Sequence, residues 1–174
     1  MKPIVVSPKV FYDTRGYLFE SYRQDRFEKE VGSNINFVQE NESKSTFGVI
    51  RGLHFQKPPF EQSKLVRVVF GKILDVAVDI RKGSSNFGKS FSFELSGENK
   101  KQLFIPRGFA HGFLTVNDVA IVHYKVDNYY SPEHDSGIIW NDNTLDIDWH
   151  LQEYKIEKPI VSSKDNNLQS FNML

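Results

Sequence analysis

The chain has 174 residues, of which 39% are hydrophobic, 14% aromatic and 25% charged, and its twenty-two basic residues balance twenty-two acidic ones. That length supports a single core, and the balanced charge, with no Lys/Arg run, argues against nucleic acid or an anionic membrane as partner. With no cysteine, disulfides, thiolate metal sites and thiol nucleophiles are excluded.

The first residues, MKPIVVSPKVFYD, hold a three-residue apolar run between two prolines. This is too short for a signal peptide or a membrane span, so the expected compartment is the cytoplasm. In DRFEKEV, Asp25 to Val31, an Asp stands at a cap position and Phe27 precedes Val31 by four residues, which predicts about two helical turns ending at Gly32. Val49 to Phe55 reads as a strand. Lys64 to Arg81 reads as two strands joined around Phe70-Gly71-Lys72, with Leu74, Val76, Val78 and Ile80 on one face and Asp75, Asp79 and Arg81 on the other. Further strand signals occupy Ser90 to Leu95, Gln102 to Ile105, Gly112 to Val116 and Val119 to Val126, divided by turn-prone Gly, Asn, Asp and Ser. The last stretch, KPIVSSKDNNLQSFNML, is polar and predicts a surface-running tail. With no repeat and no linker, residues 1–174 form one mostly β domain, a sandwich or barrel and not a βαβ fold.

Two histidines fall in strand-turn contexts, His54 in RGLHFQ and His111 in IPRGFAHGF. A metal would need three or four His or carboxylate ligands, but position 56, where a second imidazole of an HxH pair would stand, is Gln, and Gln62 is another neutral amide. Alternatively, His54 is a general base. That role needs an orienting partner and a cation for the charge that develops nearby, and Lys64 starts the next strand run. A hydrogen-bonded structural histidine beside a strand is the third reading. In HYKVDNYY, Tyr124, Tyr129 and Tyr130 fit half-buried strand aromatics, or acid and stacking groups. Tyr124 and Tyr129 would face opposite ways on a straight strand, so one pocket holding both requires a turn or bulge. Pro106-Arg107-Gly108 reads as a turn that aims His111 inward.

Taken together, FYDTRGYLFES (11–21), FVQENESKS (37–45), VIRGLHFQ (49–56), KLVRVVFGKILDVAVDIRKGSSNFG (64–88), QLFIPRGFAHGF (102–113), YKVDNYYSPE (124–133), WND (140–142) and SSKD (162–165) resemble the dTDP-4-dehydrorhamnose 3,5-epimerases. The order matches over nearly the whole chain. The resemblance implies an all-β, cupin-type jelly-roll barrel with a few short helices, and a cofactor-free, metal-free epimerase of a dTDP-4-keto-6-deoxyhexose. It implies His54 as base oriented by Asp165, Tyr124 as acid on the opposite face, and Lys64 as partner of the enolate oxygen. The implied substrate contacts are Arg15, Glu20, Gln39, Glu40, Asn41, Arg51, His111 and Lys164, with Tyr129 stacking on thymine. A homodimer is implied too, N-terminal residues of one chain completing the other's pocket. In one place the pattern differs, because Asp135 stands where the family usually has Glu. A single-site epimerase, a metal-dependent cupin enzyme and a non-catalytic sugar-binding module are the competing readings.

Overall fold

A computed structural model describes all residues from Met1 to Leu174. Thirteen strands follow in order: β1 (Ile4–Val6), β2 (Val10–Asp13), β3 (Gly16–Phe19), β4 (Gln39–Thr46), β5 (Val49–Gln56), β6 (Lys64–Phe70), β7 (Lys72–Asp79), β8 (Ser90–Ser96), β9 (Gln102–Ile105), β10 (Phe109–Thr115), β11 (Val119–Val126), β12 (Asp135–Gly137) and β13 (Ile160–Val161). Two short helices, α1 (Gln24–Val31) and α2 (Ser163–Asn166), and a 3-10 turn at Phe171–Met173 complete the chain. The fold is therefore mostly β, as expected.

One sheet orders its strands β1-β9-β6-β11-β4, and the second orders them β12-β5-β10-β7-β8 with β13 added parallel to β5. Between the two lies a core of Val66, Val68, Ile73, Ala77, Leu103, Ile105, Phe109, Phe113 and Val122, contributed by strands of both. The outer face of the second sheet is covered as well: Ile50, Leu74, Val76, Val78 and Leu114 pack against Trp149, Ile156 and Phe171 from the C-terminal third. Strand β7 is buried on both sides, so the face carrying Asp75 and Asp79 is the barrel interior, and both carboxylates are fully buried.

Helix α1 starts one residue before the predicted Asp25 and ends at Gly32, whose φ of 69° is the left-handed conformation that glycine adopts without a Cβ penalty. Phe27 and Val31 seat it against Leu65 and Phe104 on the outside of the first sheet. Strand β10 begins at Phe109, three residues before the predicted Gly112, leaving the turn to Pro106-Arg107-Gly108.

Several elements escape periodicity, β1 and β12 among them. The sequence QENESKST of β4 has no apolar face; it is an edge strand held through its ladder to β11. The β2–β3 hairpin pairs only with itself. The tail corrects the expectation outright: β13 pairs with β5, α2 is capped by Ser162 Oγ accepting from the Asp165 N–H, and Phe171 is buried against Phe87 with ring centroids 4.9 Å apart. Its few apolar side chains are spaced too irregularly for any period, yet they close the outer core. No helix is long and apolar enough to cross a membrane.

Candidate active site

The histidines predicted in separate motifs are cross-strand partners, His111 on β10 directly opposite His54 on β5. Close approach of the two backbones allows this. Gly52 has φ of 112°, and a Cβ there would lie 2.6 Å from both Gly112 Cα and the His111 carbonyl. Pairing shifts register between His111 and Phe113, a bulge that re-aims the side chains of β10.

His54 Nε2 lies 2.7 Å from Asp165 Oδ1, across 111 residues of chain, and the Gly52 N–H donates to Asp165 Oδ2 at 3.0 Å. Burial pushes the Asp165 carboxyl up, but its bonds to His54 and the Gly52 N–H more than offset this and hold it below the usual carboxylate range. An ionised Asp165 selects the tautomer with the proton on Nε2. The acceptor nitrogen of His54 is then Nδ1, and its side chain keeps 33% of its surface exposed while that of Asp165 keeps 6%.

His54 opens into a cavity of about 290 Å³ lined from both sheets. From the first sheet come Gln39 and Asn41 of β4, Lys64 of β6 and Tyr124 of β11; from the second, Phe55 and Gln56 beside His54, and Asp135 of β12. Gln62 and Tyr130, on loops, and Lys164 of α2 close the rim. Burial brings Lys64 down to about 8, although Asp75 and Asp135 both favour its charge. Burial raises the Tyr124 phenol, with the Arg51 charge opposing, so the hydroxyl keeps its proton at neutral pH. Lys164 bonds Asp135, which raises the lysine, and the Tyr130 hydroxyl donates to the same carboxylate at 3.1 Å.

The remaining predicted residues divide. His111 lies behind this wall, its Nε2 2.9 Å and 3.0 Å from the two oxygens of Asp75 and its side chain 9% exposed. Burial lowers its pKa against the pull of Asp75, with the Lys64 and His54 charges adding to the lowering. Arg51 donates to Ser45 Oγ and the Lys44 carbonyl on β4. Glu40 points away from the cavity: Gln39 and Asn41 line it, the pleat turns the residue between them to the opposite face, and Glu40 pairs there with Lys125 and His123. Tyr129 is exposed outside the cavity, and its neighbour Tyr130 lines it instead, since β11 ends at Val126 and the loop beyond resets the direction of each side chain. Arg15 and Glu20 lie away from the cavity, Arg15 paired with Asp13 in the hairpin and Glu20 with Arg23 and Arg26. Asp135, one methylene shorter than Glu, reaches the cavity while Glu133 does not line it.

Asp75 lies outside the predicted set, although a lone Asp within ILDVAV is a signal that buried charge has a partner. Nothing in the sequence distinguishes Tyr130 from Tyr129. No group of three or more His, Cys, Asp or Glu gathers into a ligand set for a metal; His54, which lines the cavity, and His111 behind it are each committed to one aspartate.

The family profile described as dTDP-4-dehydrorhamnose 3,5-epimerase matches residues 2–173. A dTDP-4-dehydrorhamnose 3,5-epimerase of Shigella flexneri is 51% identical over 97% of this chain and 90% of its own. Among solved structures, a Legionella pneumophila dTDP-6-deoxy-D-glucose-3,5-epimerase in complex with dTDP-4-keto-L-rhamnose superposes with a TM-score of 0.93 at 43% identity, covering 99% of this chain and 89% of the other. A 3'-monoepimerase from Streptomyces bikiniensis in complex with dTDP-quinovose has a TM-score of 0.89 at 27% identity, covering 98% of this chain and 84% of that one.

Proposed function

We propose, for a chain that belongs to the dTDP-4-dehydrorhamnose 3,5-epimerase family, that the His54 pocket performs the isomerisation. The enzyme epimerises C3 and C5 of dTDP-4-dehydro-6-deoxy-D-glucose, and residues 1–174 act as one catalytic domain. The observation that carries the assignment is a carboxylate-oriented imidazole and a protonated phenol lining one cavity from opposite sheets, with Lys64 in the same cavity.

The keto group at C4 acidifies the C–H bonds at both C3 and C5. His54 Nδ1 takes the proton from one face, the electron pair moves into the C–C bond to form an enolate, and the Lys64 ammonium holds the enolate oxygen. Tyr124 then delivers its hydroxyl proton to the opposite face, inverting the centre. Each inversion leaves one extra proton on His54 and one missing from Tyr124, and exchange with solvent resets both. Burial suits both groups to these roles, since it keeps Tyr124 protonated while Lys64, near 8, is still largely cationic at neutral pH. Proton shuttling and one fixed cation suffice for this chemistry, so no cofactor or metal enters the scheme.

Tyr130, which lines the cavity beside Asp135, is the better placed of the two neighbouring tyrosines for the stacking role that the resemblance gives Tyr129. Gln39, Asn41 and Lys164 offer polar contacts to the sugar nucleotide, and Arg51 lies close enough to influence Tyr124. His111 supports the site from behind. Arg15 and Glu20 serve a neighbour: the hairpin carries exposed Phe11, Tyr12, Tyr17 and Leu18 beside an Arg15 side chain that is 88% exposed, which fits a homodimer in which one chain's hairpin completes its partner's diphosphate site. The water-soluble, anionic substrate fits the cytoplasm.

Incubation with the keto sugar nucleotide in heavy water, read by NMR, is expected to place deuterium at both C3 and C5. Label at one carbon identifies a single-site epimerase, and label at neither sinks the proposal.

A further inference from the structure

Gln56 stands two residues after His54 on β5, at the position where a metal-binding pair would carry its second imidazole. Its side chain is buried, and both of its amide hydrogens are committed. The Gln56 Nε2 donates to the Phe60 carbonyl at 2.7 Å and to the Tyr129 carbonyl at 3.2 Å, while its Oε1 accepts from the Ser131 N–H at 2.6 Å. With no N–H left over, its contribution to the cavity runs through the segments it ties and not through a donor bond to substrate.

Those segments are the loop after β5 and the loop after β11, and the second is held mainly by side-chain bonds, among them that from Asn128 Nδ2 to the Pro59 carbonyl at 3.3 Å. The Asn128 carbonyl accepts from Gln62 Nε2 at 2.8 Å, and the Tyr130 N–H donates to Gln39 Oε1 at 3.1 Å. Four consecutive residues, 128 to 131, are thus fixed through side-chain amides, and the carbonyls of Asn128 and Tyr129 and the N–H groups of Tyr130 and Ser131 have no backbone partner. A strand ladder would hold such a segment whatever the side chains; here the amides decide where it sits. The segment carries Tyr130, whose hydroxyl reaches Asp135 and whose ring lines the cavity, and it follows directly from the strand of Tyr124.

We propose that Gln56 is a positioning residue for the epimerase: it braces Tyr129 and Ser131 to the strand bearing His54 and thereby sets the place of Tyr130, which they flank, at the nucleotide end of the cavity. This rests on the reading that the cavity binds a dTDP-sugar. The chemical consequence is a division of labour along one strand face, His54 acting on the sugar and Gln56 shaping the site for the nucleotide. Losing the brace should weaken binding of the nucleotide far more than it slows proton transfer, because His54, Asp165 and Lys64 do not depend on it.

The test uses the 174-residue chain, Gln56→Leu and Gln56→Glu, with kcat and KM for the keto sugar nucleotide, calorimetric Kd for dTDP alone, and thermal melting. Leu removes all three bonds, and an ionised Glu keeps only its oxygens, neither of which can donate to Phe60 or Tyr129. Both variants are expected to raise KM and the dTDP Kd about tenfold or more while kcat stays within about threefold, as loss of several hydrogen bonds to one loop would produce. In a variant that melts like wild type, KM and Kd unchanged within about twofold, or a fall in kcat at constant KM, overturns the brace. Should neither variant fold, hydrogen exchange on the wild type decides: the Ser131 amide is expected to be protected, and free exchange there refutes the proposal. A wild type that neither binds dTDP nor turns over would instead refute the functional reading, so the two failures are distinguishable.

Discussion

The molecule holds two histidine–aspartate pairs on adjoining strands, and they differ in depth. His54 with Asp165 opens to the cavity, its imidazole 33% exposed, whereas His111 with Asp75 is sealed behind it at 9% and 0%. The outer pair borrows its carboxylate from α2 at the far end of the chain; the inner pair is made across adjacent strands β7 and β10. The chemistry of the partners is the same, so under the proposed function access to the cavity is what separates a base from a support. A neutral imidazole becomes a catalyst only where its second nitrogen can reach a substrate proton.

The largest effect should come from removing each imidazole in turn. His54→Ala is expected to lower kcat by about 10³-fold or more, with dTDP affinity and melting temperature close to wild type. His111→Ala is expected to act chiefly on stability, by about 3 kcal/mol, because it strands a buried carboxylate. Denaturant unfolding and steady-state rates on the two variants test the contrast, and equal loss of activity with equal stability would abolish it.

A smaller effect separates the two aspartates. In Asp165→Asn the amide no longer enforces the Nε2–H tautomer of His54, and kcat should fall by about 10²-fold or more at unchanged KM. Asp75→Asn leaves that tautomer alone, so a loss within about tenfold is expected at neutral pH. Its signature lies elsewhere. Asp75 favours the charge on Lys64, so the variant should lose activity at a lower pH than wild type, as a pH–rate profile of kcat/KM would show.

The gentlest test concerns Lys64 itself. Its folded value of about 8 lies below the ordinary 10.5. Between these values the unfolded chain binds more protons than the folded one, so the contribution of Lys64 to stability rises with pH through that window. Catalysis by the ammonium runs the other way and should fall as pH rises through about 8. Lys64→Met should lower kcat by about 10²-fold yet raise stability at neutral pH, by at most about 3 kcal/mol. Melting curves at neutral and alkaline pH check this, and a variant less stable than wild type at neutral pH would show that the lysine is better solvated than its burial implies.

Much of this is legible in the residues themselves. The period-two pattern of Leu74, Val76 and Val78 places β7, and the missing imidazole at Gln56 points away from a metal and towards proton transfer by His54. Polar β4 is not legible, because its strand conformation comes from pairing with β11 and not from an apolar face. Tyr129 and Tyr130 are equivalent in sequence and are separated only by the path of the loop. Glu40 resembles its neighbours Gln39 and Asn41 until the pleat sends it to the other side.

Local chemistry alone determined where the apolar strands such as β7 run, which histidine sits in which motif and which residue types are present for acid, base and cation work, because periodicity and composition act over a few residues. Tertiary structure decided which groups meet. Asp165 reaches His54 across 111 residues because β13 runs beside β5 and α2 follows it over the Gly52 backbone. Partnership at that separation depends on strand register, and register is set by the packing of two sheets and the segments that cover them, which no short stretch of sequence contains.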